Sequence, residues 1–204
     1  MQTVSDSPFL VAILRGVTTA EARSVGECLY DSGFLSIEIP LNSPDPLRSI
    51  CALREALPAN CSIGAGTVTS VAQVGQCHEA GAQMIVSPNT STAVIAETLR
   101  LGLESLPGVA TPSEVFAAIG AGARSVKIFP AEQVGLAALK AWTAVIPKEI
   151  GLVPVGGVDA TNIASWIRAG ATGFGVGSSL FYPGITISEL RQRAVRLTTA
   201  LRES

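Results

Sequence analysis

Residues 62–88, SIGAGTVTSVAQVGQCHEAGAQMIVSP, hold one complete unit of the architecture. SIGAGTV, from Ser62, is a nearly continuous apolar run, the pattern of a strand buried on both faces. Ser70 with Gln73 matches a capping box, in which a hydroxyl and a side-chain amide satisfy the free backbone N–H groups of a helix start. An amphipathic stretch follows, and Gly81 stands where a left-handed residue closes a helix without a Cβ clash. MIVSP, from Met84, opens the next apolar run. The reading is strand, helix, strand.

Outward from this unit the pattern recurs, eight times in all. The other apolar runs are FLVAILRG (from Phe9), LSIEIPL (from Leu35), LESLPGV (from Leu103), SVKIFP (from Ser125), GLVPVGG (from Gly151) and GFGVGSS (from Gly173). Further capping boxes are read at Thr18 with Glu21, Thr111 with Glu114 and Thr186 with Glu189; Pro112 sits where a first helical residue tolerates proline. Gly33, Gly102, Gly122 and Gly170 fall just past amphipathic stretches, as Gly81 does. Eight units in 204 residues leave about 25 residues for each. That predicts a single-domain (β/α)8 barrel over residues 1–204, α/β in class and somewhat shorter than the roughly 250 residues common for the fold. The alternative, an open doubly wound sheet, would more often carry GxGxxG after its first strand, where this chain reads LRGVTTAE.

Composition agrees and excludes several functions. Charged residues are 15% of the chain against roughly 25% on average, mean hydropathy is +0.43, and there are 20 glycines. A net charge of −2 without a basic run lacks the electrostatic footprint of a nucleic-acid or anionic-membrane binder, so a small molecule is the expected partner. The uncharged stretches 56–78 and 169–188 are broken by glycine, proline and hydroxyl residues and do not read as spanning helices. The start MQTVSDSPFLVAILRG has no positive leader and carries Asp6, which reads as an intracellular, cytoplasmic start. Cysteines 28, 51, 61 and 77 form no CxxC and suit reduced thiols. With one histidine, His78, in a helical segment, imidazole-based metal chemistry lacks its ligands; no metal and no cofactor are expected.

Lysine is scarce: Lys127, Lys140 and Lys148 are the whole set. Lys127 stands in SVKIFP, among Val126, Ile128 and Phe129, where burial disfavours the ammonium and yields a free amine able to condense with a ketone. A buried lysine held by a carboxylate for packing alone is the competing reading. Glu38, in IEIP on the second strand, is the natural partner: strands two and six of an eight-stranded barrel face one another across the interior. Both residues lie toward C-terminal strand ends, where barrels build active sites. A carboxylate there can shuttle protons, or merely neutralise Lys127. Arg15, Thr67 and Pro88 end strands one, three and four at the same rim; Arg15 could hold a carboxylate in its fork. Gly156 and Gly157 follow strand seven, and Gly177, Ser178 and Ser179 follow strand eight, where barrels commonly bind phosphate through backbone N–H groups. His78 reads as a helix-surface residue, the cysteines as small core or helix residues, and Trp142 and Trp166 as packing between barrel and helices.

In order along almost the whole chain, VAILRG, IEIPLNSP, IGAGTV, IVSPN, LPGVATPSE, VKIFPAE, PVGGV and GVGSSL resemble the class I aldolases that act on 2-keto-3-deoxy-6-phospho sugar acids. Asn42, where the gluconate-type enzymes carry an arginine, and Val155, where a threonine is usual in them, resemble the galactonate-type branch. The resemblance implies Lys127 as the Schiff-base lysine, Glu38 as the proton-transferring carboxylate, Arg15 and Thr67 as contacts for the pyruvate-derived end, and Gly156, Gly157, Gly177 and Ser178 around a phosphate. Pro88 and Val155 join the expected substrate-binding set. A homotrimer is implied as well. The AEQVGL segment, Ala131–Leu136, departs from the pattern, so no contact is transferred there. Two other classes remain open: a barrel whose lysine holds pyridoxal phosphate, and a non-catalytic phosphate-binding barrel.

Overall fold

The computed structural model describes residues 8–204; the N-terminal reading that rests on Asp6 lies outside them. The strands are β1 (Phe9–Ile13), β2 (Ser36–Pro40), β3 (Ser62–Gly66), β4 (Met84–Val86), β5 (Glu104–Leu106), β6 (Gly108–Val109), β7 (Ser125–Ile128), β8 (Gly151–Pro154) and β9 (Gly173–Val176). Helices follow every strand but β5: α1 (Thr19–Asp31), α2 (Pro46–Ala56), α3 (Val71–Glu79), α4 (Thr92–Arg100), α5 (Pro112–Gly120), α6 (Ala131–Trp142), α7 (Ile163–Arg168) and α8 (Ile187–Arg202). Every strand pairing is parallel, in a six-stranded curled sheet of order β5-β4-β3-β2-β1-β9 and a three-stranded sheet of order β6-β7-β8. A lone parallel bridge, Val155 to Gly175, links the end of β8 to β9.

One expected strand is corrected. LESLPGV reads as a single run, yet it forms two segments that choose different partners, β5 on β4 and β6 on β7. Pro107 is the residue between them. It has no N–H for either ladder, while its carbonyl accepts from the Lys127 amide at 2.8 Å.

The continuous hydrophobicity of the strands reflects burial on both faces. Alternate residues enter two clusters. Ala12, Ile37, Ile39, Ala65, Val126 and Ile128 pack against the helices with Trp142 and Trp166; Val11, Ile13, Met84, Val86, Leu106, Val153 and Val155 pack against one another on the opposite, inward side.

The expected helix starts are observed, two of them with only half of the box: at α5 the Glu114 carboxylate accepts from the Ala110 amide at 2.8 Å rather than from the cap residue's own amide, and α8 is the other. Ser70 and Gln73 make the reciprocal box at 3.3 and 3.1 Å, Thr111 caps the Glu114 amide at 3.3 Å, and Glu21 reaches back to the Thr18 amide at 3.2 Å. Thr186 caps the Glu189 amide at 3.2 Å, but the Glu189 carboxylate turns instead to Tyr182 and Arg193. Gly33, Gly81, Gly102, Gly122 and Gly170 all have positive φ just past helix ends, as expected. His78 is exposed on α3. Cys28, Cys61 and Cys77 are buried and Cys51 is exposed on α2; burial pushes the Cys61 thiol up to about 11 and the Cys77 thiol up to about 12, so both stay protonated at neutral pH.

Candidate active site

On β7, Val126 and Ile128 face the helices, so the pleat turns Lys127 inward. On β2, Ile37 and Ile39 do the same for Glu38. Lys127 retains 5% of its accessible surface and Glu38 only 1%. The register sets Glu38 beside Ile13 on one neighbour and Gly64 on the other, and Lys127 between Gly108 and Val153. The two side chains come from well-separated strands and converge in the interior, where each is the other's strongest charged neighbour.

They do not form a tight ion pair. The four ion pairs among the described residues are Arg23–Glu27, Arg100–Glu97, Arg191–Asp31 and Arg193–Glu189, and the buried Glu38 Oε2 makes no hydrogen bond. A buried pair kept for packing alone would close that contact, because an unpaired buried charge is expensive. Burial instead moves both groups toward neutrality. It raises the Glu38 carboxyl, against the opposing pull of Lys127 and Arg15; it lowers the Lys127 ammonium, partly offset by Glu38 and reinforced by Arg15. The Lys127 Nζ also lies 4.7 Å from the centre of the Phe129 ring. The result is a dry amine with a nearby carboxyl that has a free oxygen.

Room for that carboxyl comes from a glycine. A Cβ on Gly66 would stand 2.7 Å from Glu38 Cδ, so any side chain there displaces the acid. As a string, GAG declares only a strand; its steric purpose lies in the neighbouring strand. The next residue, Thr67, has φ 59, a left-handed conformation that a β-branched residue holds only under strain, of the kind that gathers at functional sites.

The remaining expected residues fall at one rim, past the C-terminal strand ends. Arg15 is exposed two residues beyond β1, and its Nη1 donates to Asn42 Oδ1 at 2.5 Å. Pro88 follows β4 by two residues, with its carbonyl so close to Gly108 that no Cβ fits there. Val155, 6% exposed, joins the inward cluster. Gly156 and Gly157 have φ 107 and 67, and the Glu132 side chain covers the face of Gly157. Gly177 and Ser178 follow β9. Ser179 donates its hydroxyl to the Val158 carbonyl at 2.8 Å and lines a surface hollow of about 220 Å3; neither that hollow nor a second one of about 510 Å3 includes Lys127 or Glu38. Among the described residues no three His, Cys, Asp or Glu side chains gather as a metal site, and no helix is long and apolar enough to cross a membrane.

The fold is parallel α/β, and one desolvated lysine, a facing acid and glycine-rich turns gather in its interior and at one rim. The family pattern described as Aldolase: KDPG and KHG aldolase matches residues 3–195, and the chain belongs to that family. A probable 2-dehydro-3-deoxy-6-phosphogalactonate aldolase of Rhizobium meliloti (strain 1021) is 45% identical over 191 residues, 94% of this chain and 90% of that protein. A solved structure described as native KDPGal superposes with TM-score 0.95 at 42% identity, covering 100% of this chain and 98% of that one. A KDPG aldolase from Legionella pneumophila, with pyruvate captured at low pH as a covalent carbinolamine intermediate, superposes with TM-score 0.82 at 25% identity over 98% of this chain and 95% of that one.

Proposed function

We propose that the chain is a metal-independent Schiff-base aldolase that cleaves 2-dehydro-3-deoxy-6-phospho-D-galactonate to pyruvate and D-glyceraldehyde 3-phosphate. The observation that carries this reading is the unpaired, desolvated Lys127 facing the unsatisfied Glu38 carboxyl. The Lys127 amine attacks carbon 2 of the substrate, the carbinolamine hydroxyl takes the proton of the Glu38 carboxyl and leaves as water, and the resulting iminium accepts the electron pair of the breaking bond between carbons 3 and 4. The hydroxyl proton of carbon 4 passes to ionised Glu38, which releases the aldehyde. Glu38 returns a proton to carbon 3 of the enamine, and water hydrolyses the iminium to free pyruvate and the lysine.

Around that step, Arg15 and Thr67 hold the carboxylate end, Pro88 shapes the wall, and Gly156, Gly157, Gly177 and Ser178 cradle the phosphate. Val155 presents an apolar surface where a polar group would favour one epimer through a hydrogen bond; it accepts the galactonate epimer without strictly rejecting the gluconate one. The frame is a closed (β/α)8 barrel, supported by the Val155–Gly175 bridge at one junction and by the single residue Pro107 at the other. Apolar side chains left outside, among them Phe116, Val145 and Val195, support a homotrimer, and four free cysteines suit the cytoplasm.

Borohydride with pyruvate tests the chemistry: one adduct on Lys127 is expected, absent in Lys127→Met. A folded wild-type protein that gives no adduct overturns the proposal, and a yellow protein with pyridoxal phosphate on Lys127 replaces it with the other lysine chemistry. Turnover of the two epimers side by side tests the substrate, equal rates refuting the galactonate assignment.

A further inference from the structure

Arg15 and Asn42 are 27 residues apart in sequence and belong to neighbouring loops, after β1 and β2. Two hydrogen bonds tie these loops together: Arg15 Nη1 donates to Asn42 Oδ1 at 2.5 Å, and the Gly16 amide donates to the Ser43 hydroxyl at 2.9 Å. Ser43 is buried, at 8% exposure. Gly16, with φ 84, is pressed from the other side by Pro183, whose Cγ would stand 2.8 Å from a Cβ at Gly16. The first loop is therefore clamped at its backbone on both sides, and the Arg15 guanidinium is held at its tip.

The chemistry of the acceptor matters as much as its position. A guanidinium has five N–H donors, and Asn42 occupies one. Of its five donors only one serves the loop, and no carboxylate lies within 4.0 Å of it among the described residues, as the four ion pairs show. A neutral amide fixes the direction of the fork and leaves its full charge for an incoming anion, whereas an aspartate in the same place would fix it and cancel it. Arg15 directly follows Leu14, whose amide donates to the Glu38 carbonyl at 3.0 Å, so the clamped loop starts from the strand position beside the buried acid, and the Arg15 charge acts on both Glu38 and Lys127.

We propose that Asn42 is a positioning residue: it aims Arg15 at the carboxylate of the bound keto acid while keeping that arginine unneutralised, with Ser43 fixing the loop behind it. This rests on the Schiff-base reading above. The structure thereby assigns a purpose to the neutrality of Asn42, beyond its shape.

Asn42→Ala and Asn42→Asp separate this from a structural tie. A tie alone needs any acceptor of the right shape, so Asn42→Asp would behave as wild type and only Asn42→Ala would be impaired. Under the proposal both raise the pyruvate concentration that half-saturates borohydride trapping, by about tenfold or more, and Asn42→Asp is the worse. Trapping at saturating pyruvate keeps its rate in Asn42→Ala, and trapping of acetone, which has no carboxylate, loses no affinity in either variant. Wild-type trapping of pyruvate is the control. If it fails, the Schiff-base reading falls; if it succeeds and Asn42→Asp matches wild type, the positioning proposal falls. Acetone and pyruvate affected equally would also overturn it.

Discussion

Gly66 is a steric requirement written as an absence of side chain. With the Glu38 carboxyl occupying the space a Cβ would take, Gly66→Ala must push the acid off its position. The expected outcome is a loss of kcat of at least tenfold with pyruvate trapping on Lys127 retained, together with a destabilisation of about 1–3 kcal/mol from overpacking, read by denaturant titration. Thr67 beside it offers a complementary test. At φ 59 its strain offsets the extra unfolded-state entropy of a glycine, so Thr67→Gly is expected within about 0.5 kcal/mol of wild type in stability, while substrate KM rises. A drop of about 1 kcal/mol or more in stability would show that Thr67 carries no strain. Both features were illegible in GAGTV as a string: the run declares a strand, but what lies across from each residue is a property of the neighbouring strand. Lys127 and Glu38 were legible for the opposite reason, since a charge inside an apolar strand announces its own burial.

Among the elements, the helices are the most readable parts. Where a start is fixed by local hydrogen bonds within four residues, as at α3 and α5, Ser70 with Gln73 and Thr111 with Glu114 declare themselves, whereas α2, α6 and α7 begin without a side-chain cap. Ser70→Ala removes one half of its box and should cost about 1 kcal/mol, seen as a fall in Tm of about 2–4 °C in calorimetry. An unchanged Tm would show that Gln73 alone suffices. Thr186 illustrates the limit of local reading: Glu189 has the spacing of a box partner, but Tyr182 and Arg193 compete for its carboxylate. The fifth strand illustrates another. The sequence around Pro107 shows a proline in an apolar run, and only the two flanking partners reveal that the chain changes ladders there. The Arg15–Asn42 tie is likewise hidden by sequence separation; Asn42 was visible only as a branch marker.

For the whole molecule, burial of the two titratable groups makes stability depend on pH. Glu38 is raised from 4.5, so the folded state binds its proton more tightly than the unfolded chain, and stability from this group is full below 4.5 and lost as pH rises through the folded value. Lys127 is lowered from 10.5, so its contribution is regained as pH rises from the folded value toward 10.5. Glu38→Gln is therefore expected to melt higher than wild type at pH 8 and to converge with it near pH 4.5, in paired thermal melts across pH. A variant less stable at pH 8 would mean that the ionised acid is held by interactions stronger than its burial.

The join between β8 and β9 is thinly bonded. These strands share one bridge, the bond from Thr172 N–H to Leu152 carbonyl, and a second bond in which the Thr172 hydroxyl replaces a backbone acceptor for the Leu152 amide at 2.9 Å. Elsewhere β2 and β3 are in register over five residues. Local opening follows the fewest bonds, so amide exchange in β8 and β9 should outpace that in β2 and β3. Because Gly156 and Gly177 flank this seam, a bound phosphate would act as a clasp, and the exchange of those amides is the reading that would show it slowing.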